Sequence, residues 1–146
     1  MALAALEEGI CINNSSVTLV HGLSRPIGAL FHVEHGISNA MVLKACFSFA
    51  LEGTYERFAD LARAIGVADA QMGDIAAAEQ FLKAIEHICE VCEVPTLEKH
   101  GIPREEFYAA IPKMAQDALD SGSPGNTRKA PTFEDCQEIY KAAYAR

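Results

Sequence analysis

Apolar residues recur along this chain at spacings of three and four, and nowhere for any length at two. From Asp74 onward, Ile75, Ala78, Phe81, Leu82, Ile85, Ile88, Cys89 and Cys92 fall on one helical stripe. That spacing predicts a long amphipathic helix with Asp74 as its N-cap, stopped by Pro95. Phe58, Leu61, Ala62 and Ile65 stripe a shorter helix closed by Gly66. A last helix opens at Thr132, with Asp135 placed to complete a capping box, and turns Phe133, Cys136, Tyr140, Ala143 and Tyr144 inward. Pro103 and Pro112 each suit the first turn of a helix, so two consecutive helices are expected there. Ile37 to Leu51 differs: it is apolar almost all the way round, with Lys44 its one charge, and reads as a central helix covered by others. The stretch "ALAALEEGICI" already reads as helix interior with no capping residue before it. Either a naturally frayed first helix or a chain cut from something longer would give that pattern. The stretch "DSGSPGNTRKAPT" is loop by composition. The expectation is an all-α bundle of about seven helices forming one domain over residues 1–146.

Length agrees with this, since 146 residues can bury an ordinary core without staples. The net charge of −8 argues against a nucleic-acid partner, because affinity for phosphate backbones comes from clustered Lys and Arg. Arg128-Lys129 is the one dense basic group, and it is too small to change that. Five cysteines, an odd number in helical-looking segments, read as reduced, buried thiols of a cytoplasmic protein. Glu7 and Glu8 without basic residues exclude a secretory signal at the start. No uncharged apolar run reaches about 18 residues, so no membrane span is expected. The pair Cys89 and Cys92 lies on the apolar stripe at the far end of its helix, and reads as core rather than as a redox or zinc motif.

Candidate chemistry concentrates in "VHGLSRPIGALFHVEHGISNA", which holds three of the five histidines. His21 and His35 are fourteen residues apart, which on one straight helix means roughly 21 Å. They can meet only if the chain turns between them. Pro26 suits the first turn of a helix starting near His21, and "VEHG" reads as a break before the central helix. His32 and His35 would share a face only if a helix ran through that break. A metal ion normally takes three or four ligands, and local spacing supplies no obvious set. Surface or core histidines and a metal pair both remain open on these grounds.

The same stretch resembles the metal-binding signature of the iron-containing (group III metal-dependent) alcohol dehydrogenases: His-Gly, a Pro-x-Gly-Ala, then a His-Gly opening a long apolar helix that continues Asn-Ala. The likeness extends to "CEVPTLEKHGIPREEF" and to the closing "SPGNTRKAPTFEDCQEIYKAAY", and so covers essentially the whole chain. The resemblance implies the helical C-terminal domain of a two-domain enzyme, in the fold shared with dehydroquinate synthase. It implies that His21 and His35 are metal ligands, with Fe2+ or Zn2+ as the ion and NAD(P) as hydride carrier in the complete enzyme. The substrate implied is a small alcohol, aldehyde or ketone. The family's other two ligands, an Asp with a His four residues later, have no counterpart here, and neither does a glycine-rich dinucleotide turn. The isolated chain is therefore expected to be inactive, with an incomplete metal site and without its nucleotide-binding domain.

Two departures from the family pattern stand out. Arg25 replaces a histidine and suggests contact with a substrate carboxylate, against the alternative that it faces solvent or Glu34. Glu34 replaces the proline before His35. Gly125 and Asn126 are expected at the edge of the site, and Asn13 and Asn14 as hydrogen-bonding residues of the first helix. A helical half of such an enzyme would expose the face once covered by its other half, so a homo-oligomer is expected. The rival reading is a non-catalytic helical interaction module that binds a partner chain. The coding sequence upstream separates the two: an in-frame nucleotide-binding domain favours the enzyme, a stop codon the rival.

Overall fold

The computed structural model of the chain describes residues 1–144. Seven α-helices and no strands occur among them: α1 (Ala2–Ser15), α2 (Leu19–Phe31), α3 (His35–Ala50), α4 (Tyr55–Ala64), α5 (Asp74–Val91), α6 (Arg104–Asp120) and α7 (Phe133–Tyr144). Single turns of 3-10 helix follow α3 at Leu51–Gly53 and α6 at Ser123–Asn126. The boundaries have local causes. Gly66, at φ 78°, ends α4, and the Val67 N–H returns to the Ala62 carbonyl. The capping box of α7 forms as expected: the Thr132 N–H donates to Asp135 Oδ2, and the Asp135 N–H to Thr132 Oγ1.

Several sequence expectations need correction. The two helices expected at Pro103 and Pro112 are one, α6, with Pro112 inside it. Phe107, Ile111, Met114, Ala115 and Ala118 bury one unbroken stripe, and that packing outweighs the single backbone bond that proline removes. Pro26 likewise sits mid-helix in α2 and not in its first turn. Asp74 is the first helical residue of α5 rather than its cap, and its carboxylate takes Arg63 at 2.8 Å. The stripe of α5 is only partly buried, since Ile75 and Ile88 are exposed, as are Leu61 of α4 and Ile65 just after it. Of the five cysteines expected to be buried, Cys11 and Cys92 are exposed, while Cys46, Cys89 and Cys136 are buried. Cys92 lies beyond the last turn of α5, where the chain has already left the stripe.

Two apolar clusters organise the molecule. The larger joins α2, α3, α6 and α7, with Leu97 and Ile102 from the segment before α6. Leu23, Ile27, Val42, Phe107, Met114 and Tyr140 are essentially inaccessible there. The Tyr140 hydroxyl donates to the Leu23 carbonyl at 2.8 Å, and that of Tyr144 to the Ile102 carbonyl at 2.9 Å, so both buried phenols are satisfied. The smaller cluster lies between α4 and α5 and is joined to α3 through Phe47, whose ring meets those of Phe58 and Phe81. α3 is thus the central helix, as its all-round apolarity predicts. No described helix is long and apolar enough to cross a membrane.

Candidate metal centre

The corner between α2 and α3 decides where the histidines go. α2 ends at Phe31, and His32 follows in the left-handed region at φ 55°. Val33 is buried, and Glu34 is extended at φ −57°, ψ 139°. That φ lies in the range a proline would impose. His35 then begins α3. The turn separates His32 from His35, which share no helical face, and folds His35 back onto His21. The two imidazole centroids lie 5.2 Å apart, with ring planes at 51°.

The spacing can be tested against an ion. Two imidazole nitrogens at roughly 2.0–2.1 Å from one tetrahedral ion put their ring centres about 5 Å apart. The observed separation agrees, and imidazole is a donor that both iron and zinc accept. In number the donors fall short, since no described group of three or more His, Cys, Asp or Glu residues could hold a metal ion. The ring spacing matches that of two ligands of one ion, and the donors among the described residues do not fill a shell.

The electrostatics favour a neutral His21 ring. Partial burial is the main cause that lowers the His21 pKa, followed by the nearby His35 and Arg25, with Glu8 of α1 opposing them. A neutral imidazole keeps an electron pair for coordination. Arg25, exposed one turn after His21, donates to Ser123 Oγ at 3.2 Å; no ion pair joins it to Glu34. Ser123 is buried beneath it in the turn Ser123–Asn126. That turn packs closely on α2: a Cβ added at Gly22 would lie 2.6 Å from Pro124 Cγ.

Asn126, expected at the edge of the site, donates to the Val17 carbonyl at 2.9 Å and so ties the closing turn to the entry of α2. Gly125 sits beside it, exposed. Asn14 caps nothing beyond its own helix, donating to the Ile10 carbonyl.

Two residues escape sequence reasoning. Ser24, fully buried on α2, hydrogen-bonds to Asn39 Oδ1 on α3, and Asn39 Nδ2 lies 3.2 Å from His35 Nε2. Asn39 stood in the motif as the Asn of its Asn-Ala, without a role, and follows His35 by four; for Ser24 the signal was position alone, three residues after His21 on the same helical face.

Comparison with known proteins identifies the family of the chain. A profile described as the Fe-containing alcohol dehydrogenase family, C-terminal, matches residues 1–144. The chain is 31% identical over 145 residues to a lactaldehyde reductase of Escherichia coli (strain K12), covering 99% of this chain and 37% of that protein. Among solved structures, a 1,3-propanediol oxidoreductase superposes with a TM-score of 0.84 at 26% identity, over 92% of this chain and 35% of that one. An alcohol dehydrogenase from Oenococcus oeni gives a TM-score of 0.84 at 28% identity, over 93% and 35%. The chain thus spans little more than a third of the length of the relatives it matches.

Proposed function

Because this chain belongs to the Fe-containing alcohol dehydrogenase family, we propose that it works as the helical, metal-binding part of an NAD(P)-dependent alcohol dehydrogenase, with His21 and His35 as two ligands of the ion. One observation carries the reading: two rings from different helices, fourteen residues apart in sequence, lie 5.2 Å from one another. The remaining ligands and the dinucleotide site come from a portion of the enzyme outside these residues. When bound, the ion supplies Lewis-acid polarisation of the substrate oxygen, and the nicotinamide carries the hydride. This chain's residues supply two imidazole rings and fix their separation through the α2–α3 corner. The 146-residue chain by itself has no NAD(P)-dependent activity on small alcohols.

The test is metal content and anomalous scattering in an intact enzyme carrying this segment. His21→Ala or His35→Ala each lower metal occupancy severalfold and abolish activity with the helical fold retained. Occupancy unchanged by both substitutions would overturn the ligand assignment. The ion itself is Fe2+ or Zn2+.

Arg25 adds a finer reading of the substrate. Its guanidinium is steadied by Ser123 one turn from His21, where a bare positive charge beside a cation is unfavourable unless an anion lies between them. Arg25 binds a carboxylate on the substrate, so the enzyme prefers an acid-bearing aldehyde or ketone. Arg25→His in the intact enzyme raises KM for acidic substrates and spares neutral ones; an unchanged preference would end this reading. The exposed apolar residues of α1, α4 and α5, among them Leu3, Leu6, Leu61 and Ile88, support association of the isolated chain into a homo-oligomer. Sedimentation of the purified chain reports on that directly.

A further inference from the structure

A neutral imidazole has one in-plane electron pair and one N–H, so a nitrogen already engaged in a hydrogen bond is not free to coordinate. His35 Nε2 is engaged. Asn39, one helical turn on, places Nδ2 3.2 Å from it. The amide is anchored at its other end, where the hydroxyl of Ser24 reaches Asn39 Oδ1. Ser24 is inaccessible to solvent on α2, and its hydroxyl also lies 3.3 Å from the carbonyl of His21. With Oδ1 accepting from Ser24, the Asn39 NH2 donates to the electron pair of Nε2. Reversing the amide would put Oδ1 against a protonated Nε2, which is equally closed to an ion. The chain Ser24–Asn39–His35 therefore crosses from one histidine-bearing helix to the other and ends on a candidate donor atom.

We propose that Asn39 competes with the metal ion for His35 Nε2: the amide holds that nitrogen while the coordination shell is incomplete, and an ion ligated there must displace it. The proposal rests on the reading of His35 as a ligand. The exchange replaces one hydrogen bond, whose net worth corresponds to about threefold to tenfold in affinity. Asn39 thus weakens binding at the two-histidine site, and a fuller ligand set overcomes it.

The experiment is zinc titration of the 146-residue chain labelled with 15N, following both ring nitrogens of His35 and the side-chain NH2 of Asn39. The expected result is a zinc-induced shift at Nε2 with concurrent change of the Asn39 NH2 signals. Asn39→Ala then binds zinc about threefold to tenfold more tightly. Ser24→Ala, which loosens the amide without removing it, changes affinity in the same direction by less, and keeps the test available if Asn39→Ala folds poorly. Zinc bound through Nδ1 with the Asn39 signals unmoved, or affinity unchanged or weakened in the variants, would overturn the competition while leaving His35 a ligand. Ring signals untouched by millimolar zinc would overturn the ligand reading itself, and the competition with it.

Discussion

α1 and α2 are neighbours of nearly equal length, 14 and 13 residues, and both are rich in apolar side chains. α1 buries nothing, whereas α2 buries Leu19, Gly22, Leu23, Ser24, Pro26 and Ile27. Part of the difference lies in periodicity, since α2 gathers its apolar residues onto one face far more than α1 does. Yet Leu3, Leu6 and Ile10 of α1 also form a helical stripe, more than half exposed at each position, and the rest of the difference lies in what stands opposite. α2 has α3, α6 and the turn Ser123–Asn126 against it; the stripe of α1 faces no described element. An apolar stripe states that a helix can be buried, and only a second surface buries it.

The contrast can be broken hardest at its glycines. Gly22→Ala would drive a Cβ into the Pro124 ring, a rigid neighbour that cannot swing aside. The expected loss is about 1–3 kcal/mol in urea unfolding. Gly9→Ala on α1, where nothing lies within 4 Å of the new atom, leaves the unfolding midpoint unchanged. Equal effects at the two positions would erase the distinction between the helices. Next in size is Tyr140→Phe. It removes the hydrogen bond that links α7 to the Leu23 carbonyl of α2 and costs about 1 kcal/mol in the same measurement.

Alkaline pH probes the buried side more gently. Burial, helped by Asp135, pushes the Cys136 thiol from an ordinary 9.0 up to about 11, and burial pushes Cys46 and Tyr140 up further. Above pH 9 the unfolded chain loses the Cys136 proton while the folded chain keeps it, so unfolding is favoured. The contribution is fully present below pH 9 and declines as pH rises from 9 towards 11. Urea midpoints measured across that window fall, and fall less steeply in Cys136→Ala. The smallest effect is expected from removing residues 2–12, which changes the midpoint of the remainder by less than about 0.5 kcal/mol. In the whole chain Cys11 and Cys92 react rapidly with a thiol reagent, and Cys46, Cys89 and Cys136 slowly, in line with their exposure.

Much of the fold was legible beforehand, because local signals and packing agreed: the capping box at Thr132, the glycine after α4, the apolar α3. The failures share one cause. Pro112 and Pro26 look like helix starts when only the backbone is considered, yet each lies inside a helix whose buried stripe runs through it. Cys92 and Ile88 look like core by spacing, but both are exposed. At the candidate site the motif pointed to His21 and His35 and included Asn39 without a role, and it left Ser24 unmarked, since a polar residue in an apolar helix reveals its partner only when the facing helix is in place.

By itself the amino-acid sequence determined the helices, the corner before His35 and the likeness to the iron-containing dehydrogenases, all of which depend on spacing over a few residues or on short motifs. Tertiary structure alone decided that the two rings meet at 5.2 Å, that Arg25 rests on Ser123 ninety-eight residues away, and that α1 stays uncovered. Those facts depend on which surfaces come together across long stretches of chain, and the free energy of packing that selects them is not written in any local spacing.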